Sequence, residues 1–534
     1  MNEGTISETG SPPLLPATVS HTLDPLLEPD IVIGLVGAMG TELKQASSIL
    51  RDLLRNYRYD YDEIHISDLF SLDPTYKNDR ADVGAFRYYV NAIRKGNEIR
   101  KELGTEDALA QLAIREISIR RNSRTSEFGP RRAFIVRSLK LPEEIEAFRA
   151  VYNELFYCVA IHSHESIRLD RMIVQCNESY GFSDPERARA EAMRLITTDA
   201  HEDAAYGQNV RDAFVKADYY IRSDSSTDLN AELERFLQLI FDEPFITPTR
   251  GEIGMSHAYI AGLRSADLSR QVGASIIARD GRVLTTGCNE VPRAGGGQYW
   301  AGDLDDGRDF QRREDINDRK KRESILEIAA TINGYLRVDL QGNPLNFYNK
   351  ALRVALKGTR VDSLLEFSRV VHAEMAAMNS ASLDTISIRD TDLYCTTFPC
   401  HMCGRQIINV GLRNVFYIEP YPKSLTGELF SDAVIVDPQL DGEQYNERIH
   451  GKLREHRKVA FIPFSGVAPR RYGALFANKK RKDDEGKPTR LERRVASPRR
   501  SPISNSYRSI ESSIKDRLDR VVALWKSRRA TRTP

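Results

Sequence analysis

The residues with the clearest capacity for chemistry are His372-Ala373-Glu374 and, further along, Pro399-Cys400-His401-Met402-Cys403. Two cysteines three positions apart at the start of a helix can turn both sulfurs toward one point. The helix N-terminus adds partial positive charge and free N–H groups, which favour thiolates. Pro399 suits a position just before or at that helix start, where no N–H is needed. With the imidazole of His372, the two thiolates leave the fourth corner of a tetrahedral zinc ion open to water, as in catalytic rather than structural sites. Zinc in such a site lowers the pKa of water toward about 7. Glu374 lies two residues from His372, and mid-helix such a pair would point about 200° apart. His372 is therefore expected at the helix's first turn, where irregular backbone lets both side chains reach one cavity. Zinc would then sit on His372, Cys400 and Cys403, with Glu374 as the catalytic acid and base.

Plainer readings exist for each piece. Cys-x-x-Cys can be half of a structural zinc site or a redox pair, and His401 is a competing donor. A structural site needs a fourth protein ligand, yet Cys158, Cys176, Cys288 and Cys395 are scattered. A redox pair does not call for His-x-Glu upstream, and His401 reads as an ordinary residue on the helix surface.

The elements that must hold these residues alternate in type. Ile31 to Val36 is a buried-strand pattern followed by glycines and a helical stretch from Thr41 to Tyr57. Strand-like runs at Glu63–Ile66, Ala133–Val136 and Leu155–Ile161 alternate with helical patterns such as Pro142–Asn153, which argues for a parallel sheet in an α/β domain. The amphipathic segment Leu229–Ile240 closes this unit, and Pro244 to Pro248 is a hinge. A helix from Glu252 through Ser269 opens a second unit. Val272–Ala278 and Arg282–Thr286 follow as strands joined by Asp280-Gly281, a hairpin signal. A Gly- and Asp-rich insertion from Gly295 to Asp309 precedes the motif region. The expected organisation is a flexible leader over 1–28, a first domain over 29–245, a second over 250–472 and a basic tail over 473–534.

The chain has 534 residues, with 41% hydrophobic and 29% charged. That is ordinary for a globular protein of two domains. No apolar run is long enough to cross a membrane. The leader lacks the basic and apolar regions of a secretory signal. Six cysteines make no disulfide framework, so the expected setting is cytoplasmic and reducing. The net charge of +1 is unevenly spread. From Lys479 to Pro534 there are 18 Lys and Arg against 7 Asp and Glu, which leaves the rest of the chain acidic. The default for such a tail is solvated charge, although a helix is expected through Ile510, Ile514, Leu518, Val521 and Trp525.

The motif set His-x-Glu with Pro-Cys-x-x-Cys is the signature of zinc nucleobase deaminases. Ser269-Arg-Gln-Val-Gly-Ala, Gly287-Cys-Asn-Glu-Val-Pro and Thr396-Thr-Phe-Pro-Cys further resemble the deoxycytidylate deaminase family, from about Glu252 to Tyr421. The resemblance implies a cytidine deaminase-like three-layer α/β/α domain, attack on C4 of cytosine, and substrate contacts from Asn289 and Ala373. Arg264, Arg270 and Arg293 are candidate phosphate contacts, and the Tyr299–Asp309 stretch is a candidate pocket wall. With Val32-Ile-Gly-Leu-Val-Gly-Ala-Met-Gly-Thr, Arg264-Ser-Ala-Asp-Leu-Ser-Arg-Gln-Val-Gly and Gly295-Gly-Gly-Gln-Tyr-Trp, the layout from about residue 30 to 470 is similar to bacterial anti-phage dCTP deaminases. Those join a P-loop NTPase-like parallel-sheet domain, of nucleotide kinase type, to the deaminase domain. This implies conversion of dCTP, and also dCMP, to the uracil nucleotide, a homo-oligomer, and in some relatives inhibition by a small RNA.

In the first domain, Gly34, Gly37, Gly40 and Thr41 form a strand–loop–helix junction whose backbone amides can bind phosphate. Thr41 stands where a P-loop would carry lysine. Nucleotide binding, by a nucleotide effector, is thus expected without phosphoryl transfer, and a purely architectural role is the alternative. The rival functions for the whole chain are a polynucleotide cytosine or adenine deaminase and an inert regulatory protein that binds nucleotide or RNA. An acidic body weighs against the first, and a complete motif set against the second.

Overall fold

The computed structural model describes residues 30–123, 128–129, 131–179, 183–202, 206–223, 228–335, 356, 367–421, 423–437, 458–477, 479–498 and 507–530; the expected leader lies outside them. Two six-stranded sheets organise the chain. The first runs in the order β2 (Asp60–His65), β3 (Arg132–Leu139), β1 (Ile31–Val36), β4 (Phe156–His162), β5 (Tyr219–Arg222) and β12 (Gly466–Val467). Its first five strands are parallel and β12 is antiparallel. All six residues of β1 are buried, as an unbroken apolar run requires when both faces are covered. Ile31, Ile33 and Leu35 face a core shared with the helices Leu43–Asn56 and Leu229–Ile240. Val32 and Val36 face the opposite core, with the helix Ala108–Ser123.

The second sheet has the order β7 (Val283–Cys288), β6 (Gly273–Ile277), β8 (Asp392–Thr397), β9 (Asn414–Glu419), β11 (Val459–Pro463) and β10 (Val434–Val436). The expected hairpin is β6–β7; β6 and β8 are antiparallel, and β8, β9, β11 and β10 run parallel. The helix Arg250–Gly262 covers one face. Ala373–Leu383 and His401–Asn409 pack with the other face in a separate core. The fold is mixed α/β with parallel-rich sheets. The helix expected through Ser269 ends at Gly262. Beyond it, Ala266 N–H donates to Glu290 and Val272 N–H to Asn289, so backbone groups of this segment are satisfied by side chains instead of helical turns.

Sequence order conceals one return of the chain. Within the stretch expected to belong to the second unit, β12 joins the first sheet. Glu252 holds this crossing: its buried carboxylate pairs with Arg235 at 2.8 Å and accepts the Val467 N–H at 2.9 Å.

The expectation of a solvated tail is corrected over 507–530. The helix Tyr507–Ala530 packs on Ala108–Ser123 and buries Leu518, Val522 and Trp525. Trp525 Nε1 donates to Glu102 at 3.1 Å, and the buried Glu511 carboxylate accepts from Arg121 and from Tyr152. Apolar residues spaced three and four apart outweigh the surrounding positive charge, because the charges sit on the helix's outer face. Trp525→Ala is expected to cost about 3–5 kcal/mol of stability, read as a lower urea midpoint. A shift below about 0.5 kcal/mol would mean that the helix adds nothing to the core. Among the described residues, no helix is long and apolar enough to cross a membrane.

Candidate metal centre

Two helix starts converge at one edge of the second sheet. His372 is the N-cap of Ala373–Leu383, with extended backbone (φ −65°, ψ 153°). Because it stands outside the helix, the 200° divergence of a mid-helix pair does not apply, and Glu374 in the first turn faces the same cavity. A two-residue bridge fixes the approach: Val371 N–H donates to Glu290 O at 3.1 Å and Glu290 N–H returns to Val371 O at 3.2 Å. Gly287 lets the helix lie this close to β7, since a Cβ there would come within 2.4 Å of Ala373 O and Ala377 N.

Cys400 is likewise an N-cap, of His401–Asn409, and Cys403 lies in that helix's first turn. The thiols therefore straddle the helix start rather than both lying inside it. The segment before them is anchored at the Pro399 carbonyl, which accepts from Ser424 Oγ at 2.8 Å and Thr426 Oγ1 at 3.3 Å.

His372 Nδ1 lies 3.4 Å from Cys400 Sγ and 3.5 Å from Cys403 Sγ, and the three donor atoms all fall within 4.8 Å of one another. Zn–N bonds of about 2.0–2.1 Å and Zn–S bonds of about 2.3 Å at tetrahedral angles put such donors roughly 3.5 Å apart. The spacing fits the ion. Cys400 and Cys403 are buried and His372 is half-buried. The hydrogen bond with Cys403, reinforced by His372, holds the Cys400 thiol well below its ordinary range, and Cys403 is raised in turn. Burial pushes the Glu374 carboxyl above the usual carboxylate range, with His372 opposing it. His401 is not part of the donor cluster.

A cavity of about 310 Å³ opens onto His372, Glu374 and Cys400. Asn289 and Ala373 line it. The Asn289 carboxamide accepts from Val272 N–H at 2.7 Å and donates to Arg270 O at 2.8 Å, so it braces the wall. Arg270 lines the cavity and pairs with Glu419 at 2.6 Å. Arg264 and Arg293 are elsewhere: Arg264 stacks on Trp300 with 3.7 Å to the ring centroid, and Arg293 pairs with Asp303. Of the Tyr299–Asp309 stretch, Asp309 reaches the lining. Sequence reasoning missed Arg369, Tyr421 and Lys423, which also line it. The available signal was their nearness in sequence to His372 and to the end of β9.

In the first sheet, Gly37, Gly40 and Thr41 line a separate cavity of about 840 Å³. Gly34 does not. It sits mid-strand, where a Cβ would lie 2.6 Å from Leu139 Cδ1 and 3.0 Å from the Phe156 ring, so it serves close packing.

The family described as "Cytidine and deoxycytidylate deaminase zinc-binding region" matches residues 250–419. The chain carries a deoxycytidylate deaminase-like zinc-binding domain. Its cofactor is Zn2+. Curated relatives of this deaminase-like domain include ComE operon protein 2 of Bacillus subtilis, 28% identical over 96 residues (18% of this chain, 49% of the relative). A probable deoxycytidylate deaminase of Drosophila melanogaster is 30% identical over 112 residues (19% and 54%). Deoxycytidylate deaminase of Enterobacteria phage T2 is 26% identical over 204 residues (36% and 93%). The chain spans about half the length of the first two. Among solved structures, the dCMP deaminase of cyanophage S-TIM5 with dCMP and dUMP is 16% identical, covering 41% of this chain and 100% of its own, with a TM-score of 0.21.

Proposed function

We propose that the deaminase-like domain hydrolyses the exocyclic amino group of a free deoxycytidine nucleotide, dCTP and also dCMP, to give the uracil nucleotide and ammonia. The observation that carries this reading is the convergence of His372, Cys400 and Cys403 beside a buried Glu374 on the cavity. When bound, zinc supplies the Lewis acidity that makes water nucleophilic near neutral pH. In this reading His372, Cys400 and Cys403 hold the ion, and Glu374 moves the protons. Its carboxylate accepts a proton as water attacks C4 and passes it to the ring nitrogen. It then carries the second proton to the amino group. The C4–N bond breaks, a carbonyl forms at C4, and one water is consumed per ammonia released. Burial favours this role, because a carboxyl with raised proton affinity can both take and return a proton.

The cavity volume suits a cytosine and its sugar, with phosphates toward the rim. Lys423 lines the cavity and is exposed there. Lys423→Ala is expected to raise KM for dCTP roughly tenfold with little change in kcat, the loss of one charge-assisted contact made equally in ground and transition states. Deoxycytidine, which has no phosphate, should be unaffected; an equal change for both would remove Lys423 from phosphate recognition.

The names of the phage T2 and Drosophila relatives favour a deoxycytidylate. Preference for dCTP, depletion of the pool in antiviral defence, oligomer formation and control by a small RNA rest on the resemblance to anti-phage deaminases. Nucleotide binding by the first unit has the large cavity behind the glycine loop in its favour. The test is ammonia release from dCTP, dCMP, CTP and a cytosine-containing oligonucleotide. Release from the deoxynucleotides supports the reading. Release from the oligonucleotide alone replaces it with a polynucleotide editor, and silence on all four leaves a zinc protein without this activity.

A further inference from the structure

The cavity of about 840 Å³ lies between the loop after β1, the end of β3 and the helices Ala85–Leu103 and Glu165–Glu178, and the helix Pro185–Ala200 reaches it through Asp199. It has the size of a small-molecule pocket, and deamination does not use it. At the loop, a carboxylate of the chain itself takes an anion's place. Asp199 Oδ2 accepts the Met39 N–H at 2.6 Å, and Oδ1 accepts from Lys140 Nζ at 2.7 Å. Lys140 Nζ also donates to Gly37 O at 3.3 Å. The ammonium that Thr41 fails to supply thus reaches the loop from the end of β3. A backbone N–H and an ammonium meeting on one oxyanion are the donor set of phosphate sites at strand–loop–helix junctions.

Two other atoms of the lining await a partner. Gln208 is 8% exposed, and its carboxamide oxygen has no hydrogen-bond partner among the described residues. The same holds for the buried hydroxyl oxygen of Thr41.

We infer that the glycine loop is self-occupied: Asp199 is its built-in anion, Lys140 its cation, and a pyrophosphate-bearing ligand gains the loop by displacing Asp199. The inference rests on the nucleotide-binding reading of the first unit. Displacement follows from charge, since pyrophosphate brings more charge and more acceptor oxygens to the same two donors than one carboxylate does. Asp199 is fully buried in the last turn of its helix, below the buried Leu195 and Ile196. It leaves the loop only with a rearrangement of that turn, so ligand binding is coupled to the end of the helix.

Inorganic pyrophosphate titrated into the full chain tests this by calorimetry, with hydrogen exchange followed over residues 185–200 and a melting curve as the check on folding. Asp199→Asn is expected to bind pyrophosphate at least tenfold more tightly than the unaltered chain. The gain should vanish in the double variant with Lys140→Met. In the unaltered chain, saturating pyrophosphate should speed exchange at 195–200, a readout that needs no variant to fold. Binding by the unaltered chain with no change in exchange, or with no gain in Asp199→Asn, overturns self-occupancy and leaves the nucleotide reading standing. No binding by any of the proteins overturns both.

Discussion

Glu374→Gln is expected to keep its zinc and lose about 10²–10⁴-fold in the rate of ammonia release, the usual worth of a positioned acid–base group. Glutamine matches glutamate in size, so the buried first turn of Ala373–Leu383 is undisturbed. What disappears is the capacity to take a proton from water and return it to the ring and the leaving amine. Glu374 is 4% exposed, so bulk water has poor access to take over the transfer. The measurement pairs kcat on the preferred deoxycytidine nucleotide with metal content by atomic absorption. Zinc retained with kcat down by this factor supports the role. A variant with more than half of the original kcat would remove Glu374 from the chemistry, whatever its position.

Cys403→Ala should have the second large effect, acting on the metal rather than on the proton. Cys403 is fully buried and its sulfur lies 3.5 Å from His372 Nδ1. Removing it leaves one thiolate and one imidazole, too few to hold the ion against dilution. Loss of a group that merely supports a zinc ligand costs about 10–100-fold in affinity, so loss of a direct donor is expected to cost more. The purified variant should contain little zinc and release no ammonia above background. It should also melt below the unaltered chain, because binding free energy of the metal adds to that of the fold. A chelator should reproduce the loss in the unaltered chain, with activity restored by Zn2+. Full zinc content in Cys403→Ala would show that another donor completes the site.

The first of these effects was legible from a short stretch of residues, and so was most of the second. His372, Glu374, Cys400 and Cys403 announce their chemistry because donor type and spacing are local properties, and because a helix start needs a short, recognisable set of residues. Strand and helix types were legible for the same reason: β1 is a short unbroken apolar run of strand length, and the buried face of Leu43–Asn56 recurs with the 3.6-residue period of a helix. Their boundaries were less so. The helix after Arg250 ends at Gly262, sooner than expected, and the segment beyond it is held by side chains of Asn289 and Glu290 that neighbour it in space only.

By itself the sequence determined the candidate donor set, the residue proposed as proton carrier and the alternation of strands and helices that makes an α/β chain. The tertiary structure decided which distant segments meet. It moved Gly34 from the phosphate loop into the packed interior, drew β12 back to the first sheet, docked the tail helix through Trp525, and set Asp199 against Met39 across 160 residues of chain. The physical reason is the same in each case. An apolar stripe or a lone carboxylate specifies that it must be covered or paired, whereas the identity of its partner emerges only when the whole chain competes for one compact arrangement.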